Sequence, residues 1–198
     1  MRAIIGKKLG MTRIFDEQGN AVPTTLIWAK PNVVTQIKSK DKDGYEATQI
    51  ADIDNKKIKK PQAGHLKEIK SRNLKEFKLD TGLKCGDKID LSQFEIGEKI
   101  NVTAVSKGKG FAGTVKRHHF HLGPKTHGGH NYRQPGSIGS AYPQRVIKGR
   151  KMPGHLGNEK VTTKNLKIVA IDLEKNIIML SGAVPGINKS SVYLWSKS

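Results

Sequence analysis

Hydrophobic positions along this chain fall into short, mostly alternating runs separated by turn residues. Arg2–Ile5, Met11–Phe15, Val22–Trp28 and Asn32–Lys38 are rich in β-branched and aromatic residues and predict four strands, with Asp16-Glu17-Gln18-Gly19-Asn20 as a turn. Tyr45–Ile50 and Lys75–Leu79 extend this meander, and Pro61–Ile69 predicts one short helix, weakened by Gly64. Ile89, Leu91, Phe94 and Ile96, followed by Ile100, Val102 and Ala104, predict two further strands. The apolar pattern then stops. It resumes at Val161, where Leu166–Leu173 and Ile177–Leu180, joined by Glu174-Lys175-Asn176, predict a hairpin, and Val192–Trp195 a last strand. The pattern implies a mainly β fold with little helix and one core split in sequence. Residues 1–105 and 159–198 form this discontinuous globular domain, a barrel or sandwich, and residues 106–158 leave it as a long irregular extension between two strands.

Charge gives the interruption a meaning. Between Glu98 and Glu159 there is no acidic residue, yet Lys99–Asn158 carries eleven Lys or Arg, six of the seven histidines and eleven of the 21 glycines. The formal net charge of the whole chain is +19, so this segment holds more than half of the excess. A Gly-rich run without acids buries too little apolar surface to order itself, and its like charges repel unless an anion neutralises them. The expected anion is a phosphate backbone, and the segment should order only on that partner.

Other classes are less well served. With 198 residues and 35% hydrophobic content the chain can bury a modest core. No apolar run approaches the roughly 20 residues that span a bilayer, and Gly6, Lys7 and Lys8 interrupt Met1–Met11 before a secretory core forms. A cytoplasmic protein without a membrane partner is expected. One cysteine, Cys85, excludes an internal disulfide.

Gly108-Lys109-Gly110-Phe111-Ala112-Gly113 satisfies G-x-G-x-x-G, but Thr114–His119 is a poor helix start and no acidic residue follows within the required distance. Its glycines are better suited to close approach to a nucleic-acid backbone. His118, His119, His121, His127, His130 and His155 have neither Cys nor carboxylate beside them, so no metal and no cofactor is expected. General acid–base chemistry needs a positioned partner and a pocket, which a Gly-rich segment does not advertise, so no enzymatic activity or small-molecule substrate is expected. Phe111, Phe120, Tyr132 and Tyr142 are interleaved with the cations and suit either stacking on bases or packing within the segment. Lys56, Lys57, Lys59 and Lys60 lie near Asp52 and Asp54 and read equally well as a solvated face. The expected RNA-binding residues are Lys107, Lys109, Lys116, Arg117, His118, Lys125, His127, Arg133, Gln134, Ser137, Tyr142, Arg145, Lys148, Arg150 and Lys151.

Phe94, Asn101, Ala104, Ser106, Gly108-Lys109-Gly110, Gly113 and Arg117 fall at the spacing of a family signature. Gly6–Phe15, Pro135-Gly136-Ser137-Ile138-Gly139, Lys151-Met152 with Gly154 and Gly157-Asn158-Glu159, and Gly182–Gly186 add to it. Together they resemble the universal large-subunit ribosomal protein L-three family, bacterial type, over almost the whole chain. The resemblance implies a closed six-stranded β-barrel of the translation-protein type and a long arm reaching toward the peptidyl transferase centre, with Ser137–Tyr142 at or beside its tip. It implies a structural constituent of the ribosome that binds near the 3′ end of the large-subunit rRNA, nucleates assembly, and neighbours the fourteenth and nineteenth large-subunit proteins. Several bacterial members carry a methylated glutamine where this chain has Ser140, so that modification is not expected. Two rivals use the same residues. A free-standing RNA chaperone or architectural protein would bind any strand alike, and an RNA-modifying enzyme would depend on a single histidine.

Overall fold

The computed structural model describes residues 1–53, 58–66, 69, 71–79 and 82–196. In chain order the strands are β1 (Arg2–Phe15), β2 (Ala21–Trp28), β3 (Asn32–Lys38), β4 (Ala47–Asp52), β5 (Leu74–Phe77), β6 (Lys88–Ile89), β7 (Lys99–Val105), β8 (Phe111–Ala112), β9 (Gly154–His155), β10 (Lys160–Asp172), β11 (Ile177–Ser181) and β12 (Ser191–Ser196). Among the described residues, helix is confined to α1 (Lys40–Asp43), α2 (Lys60–Leu66), α3 (Thr114–His118) and a 3₁₀ turn at Leu91–Gln93. The chain is thus mainly β, as the hydropathy pattern predicts. It divides into two compact units: Met1–Ser106 with Lys160–Ser198, and Lys107–Glu159.

In the first unit, antiparallel pairing runs in the order β1-β12-β7-β10-β11-β2, and β2 pairs again with β1, so the sheet closes on itself. Two strands make the closure by changing partners along their length. β1 pairs with β12 up to Lys7 and with β2 from Lys7 onward, with a register shift between Lys8 and Gly10. β10 pairs with β7 as far as Lys167 and with β11 from Ile168, and near this switch Asn165 takes a φ of 58°. Such bulges add twist and bend, which a closing sheet needs at its corners. Inside sit Ile4, Ile27, Ile100, Val102, Ile168, Ile178, Leu180, Val192 and Leu194, each fully buried. Gly6 allows the tight β1–β2 approach, since a Cβ there would lie 2.8 Å from Ile27 Cγ2 and 3.0 Å from the Trp28 carbonyl oxygen.

Four expectations need correction. Arg2–Ile5 and Met11–Phe15 are one strand, because the Gly and Lys residues between them remain paired through the register shift. The third and fourth segments of the expected meander, Val22–Trp28 and Asn32–Lys38, part company: β3 leaves the closed sheet and joins a separate four-stranded sheet, β5-β4-β3-β6. A second core therefore exists, with Ala3, Ile5, Val34, Ile50, Phe77 and Ile89 packed together. β1 is buried on both faces, Ile4 pointing to one core and Ala3 and Ile5 to the other, which is why Ala3-Ile4-Ile5 is continuous rather than alternating. Ile89–Ile96 is not a strand beyond Ile89. The Asp90 side chain accepts from the Ser92 N–H at 3.0 Å and turns the chain, so Leu91 and Phe94 are buried by a 3₁₀ turn while Ile96 stays 68% exposed. β10 begins six residues earlier than Leu166, in a largely exposed Lys/Val/Thr stretch with little apolar signal. The expected helix is present as α2, its last expected turn lying partly outside the described residues, as do Lys56 and Lys57.

Asn32 joins the two sheets. Its amide oxygen accepts the Ile5 N–H at 2.6 Å and its amide nitrogen donates to the Ile5 carbonyl at 3.2 Å. A fully buried side chain thereby stands in for the strand partner that β1 lacks on that edge.

Candidate nucleic-acid interface

Most of the acid-free segment lies in the second unit, Lys107–Glu159, whose last residue is its single acid, and it carries more regular structure than its composition predicts. β8 and β9 pair antiparallel, Phe111 opposite His155 and Ala112 opposite Gly154. The ladder continues as Lys109 N–H donates to Leu156 O and Leu156 N–H to Gly110 O, both at 2.9 Å. Gly157, with a φ of 78°, passes so close to the Lys107 carbonyl that any Cβ would collide with it. α3 follows at once, against the expectation that Thr114–His119 is a poor helix start. Capping explains the difference. Gly113 enters in an extended conformation, His119 leaves at a φ of 58°, and Lys116, Arg117 and His118 occupy the last turn, where the helix dipole favours cations.

The helix braces the returning strand. Arg117 Nη1 donates to the Met152 carbonyl at 2.8 Å, and a ring nitrogen of His118 lies 3.0 Å from the same oxygen. Gly154 leaves room for the guanidinium, since a Cβ there would sit 2.8 Å from Arg117 Nη1. Beyond this brace the residues from His121 to Lys151 are exposed except for Gly123 and Tyr132. Their internal bonds are local: Gly123 N–H to Tyr132 O at 3.0 Å, Lys125 Nζ at 5.4 Å from the Tyr132 ring, and Arg150 Nη2 to Ser137 O at 2.6 Å. Ser137 Oγ donates in turn to Gly139 O at 2.8 Å.

The candidate residues separate into two groups. Lys107, Lys109, Lys116, Lys125, His127, Arg133, Gln134, Ser137, Tyr142, Arg145, Lys148, Arg150 and Lys151 are exposed. Arg117 and His118 are half-buried and turned onto Met152, so they hold the segment together rather than present charge outward. Arg150 does both, one guanidinium nitrogen tying Ser137 while the side chain remains exposed. Ion pairs such as Lys7–Asp52 and Lys38–Glu76 lie in the first unit, which holds all the acids but Glu159. The second unit sets that single carboxylate, at its C-terminal end, against ten Lys and Arg.

Tyr142 is 82% exposed, and Ile138, Val146 and Ile147 are exposed beside it. Tyr142 is an expected RNA-binding residue and Ile138 falls in the expected Ser137–Tyr142 tip, whereas Val146 and Ile147 are not among the expected residues, their only signal being that they lack periodic apolar partners. Among the described residues no group of three or more His, Cys, Asp or Glu is placed to hold a metal. The G-x-G-x-x-G stretch runs into β8 and a five-residue helix, not the strand-to-long-helix turn that cradles a pyrophosphate.

The family model described as Ribosomal protein L3 matches residues 40–175, which include the whole basic segment and parts of both sheets. The chain belongs to the ribosomal protein L3 family. It is 48% identical to the large ribosomal subunit protein uL3 of Alkaliphilus metalliredigens over 96% of this chain and 94% of that protein. It is 49% identical to the uL3c protein of Guillardia theta over 92% of this chain and 94% of that one. Against the Metamycoplasma arthritidis uL3 protein it is 46% identical over 98% of this chain but 75% of the longer relative. L3 family membership therefore extends across both units, including the basic one.

Proposed function

We propose that the chain is a non-catalytic, structural constituent of the large ribosomal subunit that binds rRNA and neighbouring ribosomal proteins, and that it resides in the ribosome of the cytoplasm. Membership of the L3 family supports this reading. The observation that carries the physical part is the second unit: a hydrogen-bonded base, and beyond it a row of exposed cations in a segment without one acid. Such a field binds a polyanion by releasing counterions, and only a partner that surrounds it can neutralise it along its length.

In this reading the closed sheet is the translation-protein type of barrel and docks on the rRNA near its 3′ end, where binding nucleates assembly. Residues 106–158 form the arm that runs toward the peptidyl transferase centre, with Ser137–Tyr142 at or beside its tip. Lys107, Lys109, Lys116, Lys125, Arg133, Arg145, Lys148, Arg150 and Lys151 contact phosphates, His127, Gln134 and Ser137 add polar contacts, and Tyr142 stacks on a base. Arg117 and His118 serve by bracing the arm. The protein neighbours are the fourteenth and nineteenth large-subunit proteins.

The test is binding of the intact protein, and of a variant with Lys107–Leu156 replaced by a short linker, to the 3′-terminal rRNA domain and to an unrelated folded RNA across a salt series. Each phosphate contact adds about 0.7–0.9 to the salt slope. Preference for the rRNA domain at high salt, with a flattened slope in the variant, is the expected outcome. Equal binding of both RNAs would favour the free-standing chaperone instead.

A further inference from the structure

The first unit carries its own cationic aromatic groove. β12 turns Val192 and Leu194 into one core, which leaves Tyr193 and Trp195 on the opposite face. There they line an open groove of about 380 Å³ with Phe77, Thr103 and Thr162. Phe77 tilts against Tyr193, ring centroids 6.5 Å apart. Lys75, Lys78 and Lys160 edge the groove, with Lys75 Nζ 5.7 Å from the Tyr193 ring. The one carboxylate in the lining, Glu76, is already held by Lys38 at 2.9 Å and by the Tyr45 hydroxyl at 2.8 Å, so it does not offset these lysines.

A polar chain crosses the floor. Trp195 Nε1–H donates to Thr103 Oγ1 at 3.2 Å, and Thr103 Oγ1 lies 2.8 Å from Thr162 Oγ1. Either hydroxyl can donate across this contact, and the exposed Thr162 hydroxyl keeps hydrogen-bonding capacity for a ligand in both cases.

We infer that this groove takes one unstacked nucleotide of an RNA strand. Its base lies against the Tyr193–Trp195 wall, Thr162 hydrogen-bonds to a polar group of the base edge, and the flanking phosphates rest on Lys75, Lys78 and Lys160. Aromatic rings interleaved with lysines bind single strands in this way, whereas an acidic peptide would use the lysines and leave the rings idle. The inference rests on the proposed RNA partner but concerns a site separate from residues 106–158.

Trp195 supplies a reporter, because the chain has two tryptophans and Trp28→Phe leaves only this one. In full-length Trp28→Phe protein, a uridine hexanucleotide should quench Trp195 fluorescence. Adding Lys75→Gln, Lys78→Gln and Lys160→Gln should remove three contacts at about 0.7 of slope each, about 100-fold in affinity between 1 M and 0.1 M salt. Lys40→Gln with Lys42→Gln, exposed lysines outside the groove and outside the basic unit, should leave the quench in place, and circular dichroism checks that each variant is folded. Absence of quenching, quenching unchanged in the triple variant, or equal quenching by hexaglutamate overturns the inference, the last in favour of a protein partner. Should it fail while the arm deletion still flattens the rRNA salt slope, the groove falls and the ribosomal reading stands.

Discussion

Replacing Arg117 by Gln distinguishes a brace from a phosphate contact. The substitution removes one positive charge, as Lys116→Gln does one residue earlier, so a purely compositional view expects the same effect from both. The geometry separates them. Lys116 is exposed, whereas Arg117 donates to the Met152 carbonyl at 2.8 Å across the base of the basic unit. A hydrogen bond from a charged group contributes about 1.5–3 kcal/mol, and the half-burial of Arg117 argues for the lower end. At about 1.4 kcal/mol per tenfold, opening of the base should become roughly 10-fold more frequent. The amide hydrogens of Lys109 and Leu156, which bond across the ladder, should exchange faster by that factor. Trypsin should cut between residues 119 and 151 more readily. The salt slope for rRNA binding should stay close to that of the parent, while Lys116→Gln should lower it by about 0.7–0.9 and leave exchange unaltered. A slope lowered equally by both substitutions, with Leu156 exchange unchanged in Arg117→Gln, would refute the brace.

Asn32→Ala should lower stability by about 2–5 kcal/mol in denaturant unfolding, because it leaves both backbone groups of Ile5 buried without their partner. Leu194→Ala, in the interior of the closed sheet, should cost about 2–5 kcal/mol by cavity formation, whereas Ile96→Ala on the surface should stay within about 0.5 kcal/mol, measured by the same unfolding curves. Lys38 and the Tyr45 hydroxyl hold the Glu76 carboxyl below its ordinary range. Its contribution to stability is therefore present above the ordinary carboxylate range and is lost as pH falls through the lowered folded value; Glu76→Gln should flatten the acid limb of a stability profile, and a Glu76 titration by NMR at the ordinary value would contradict this.

What the sequence made legible depends on the range over which each feature is determined. Strands with one buried face, such as β7, where Ile100, Val102 and Ala104 point inward, announce themselves by alternation. β1 does not, because Ala3, Ile4 and Ile5 are all buried between two cores, and no local rule divides a continuous run between opposite faces. The four-stranded sheet was hidden for a related reason, since β3 buries Asn32, Val33 and Val34 in succession and β4 buries Thr48 through Asp52, so neither strand alternates. α3 has no apolar periodicity and exists through its caps, Gly113 and His119, which are visible only as unremarkable residue types.

The basic unit shows the opposite balance. Absence of acids is a property of composition, needs no geometry, and therefore pointed to a polyanionic partner before any contact was known. Composition could not rank the cations within it. Lys116, Arg117 and His118 are consecutive, yet one faces outward and two turn onto a carbonyl that arrives 34 and 35 residues later. No spacing rule links α3 to Met152, because the intervening loop has no fixed length that periodicity could detect. The arrangement also gives the glycines of that region unequal weight. Gly154 is required beside a guanidinium and Gly157 beside a carbonyl, whereas Gly139 has open space around it. The segment thus differs from a flexible basic tail: hydrogen bonds across its base hold Lys109, Arg117, Met152 and Leu156 in one register, while the exposed cations beyond them are left without comparable bracing.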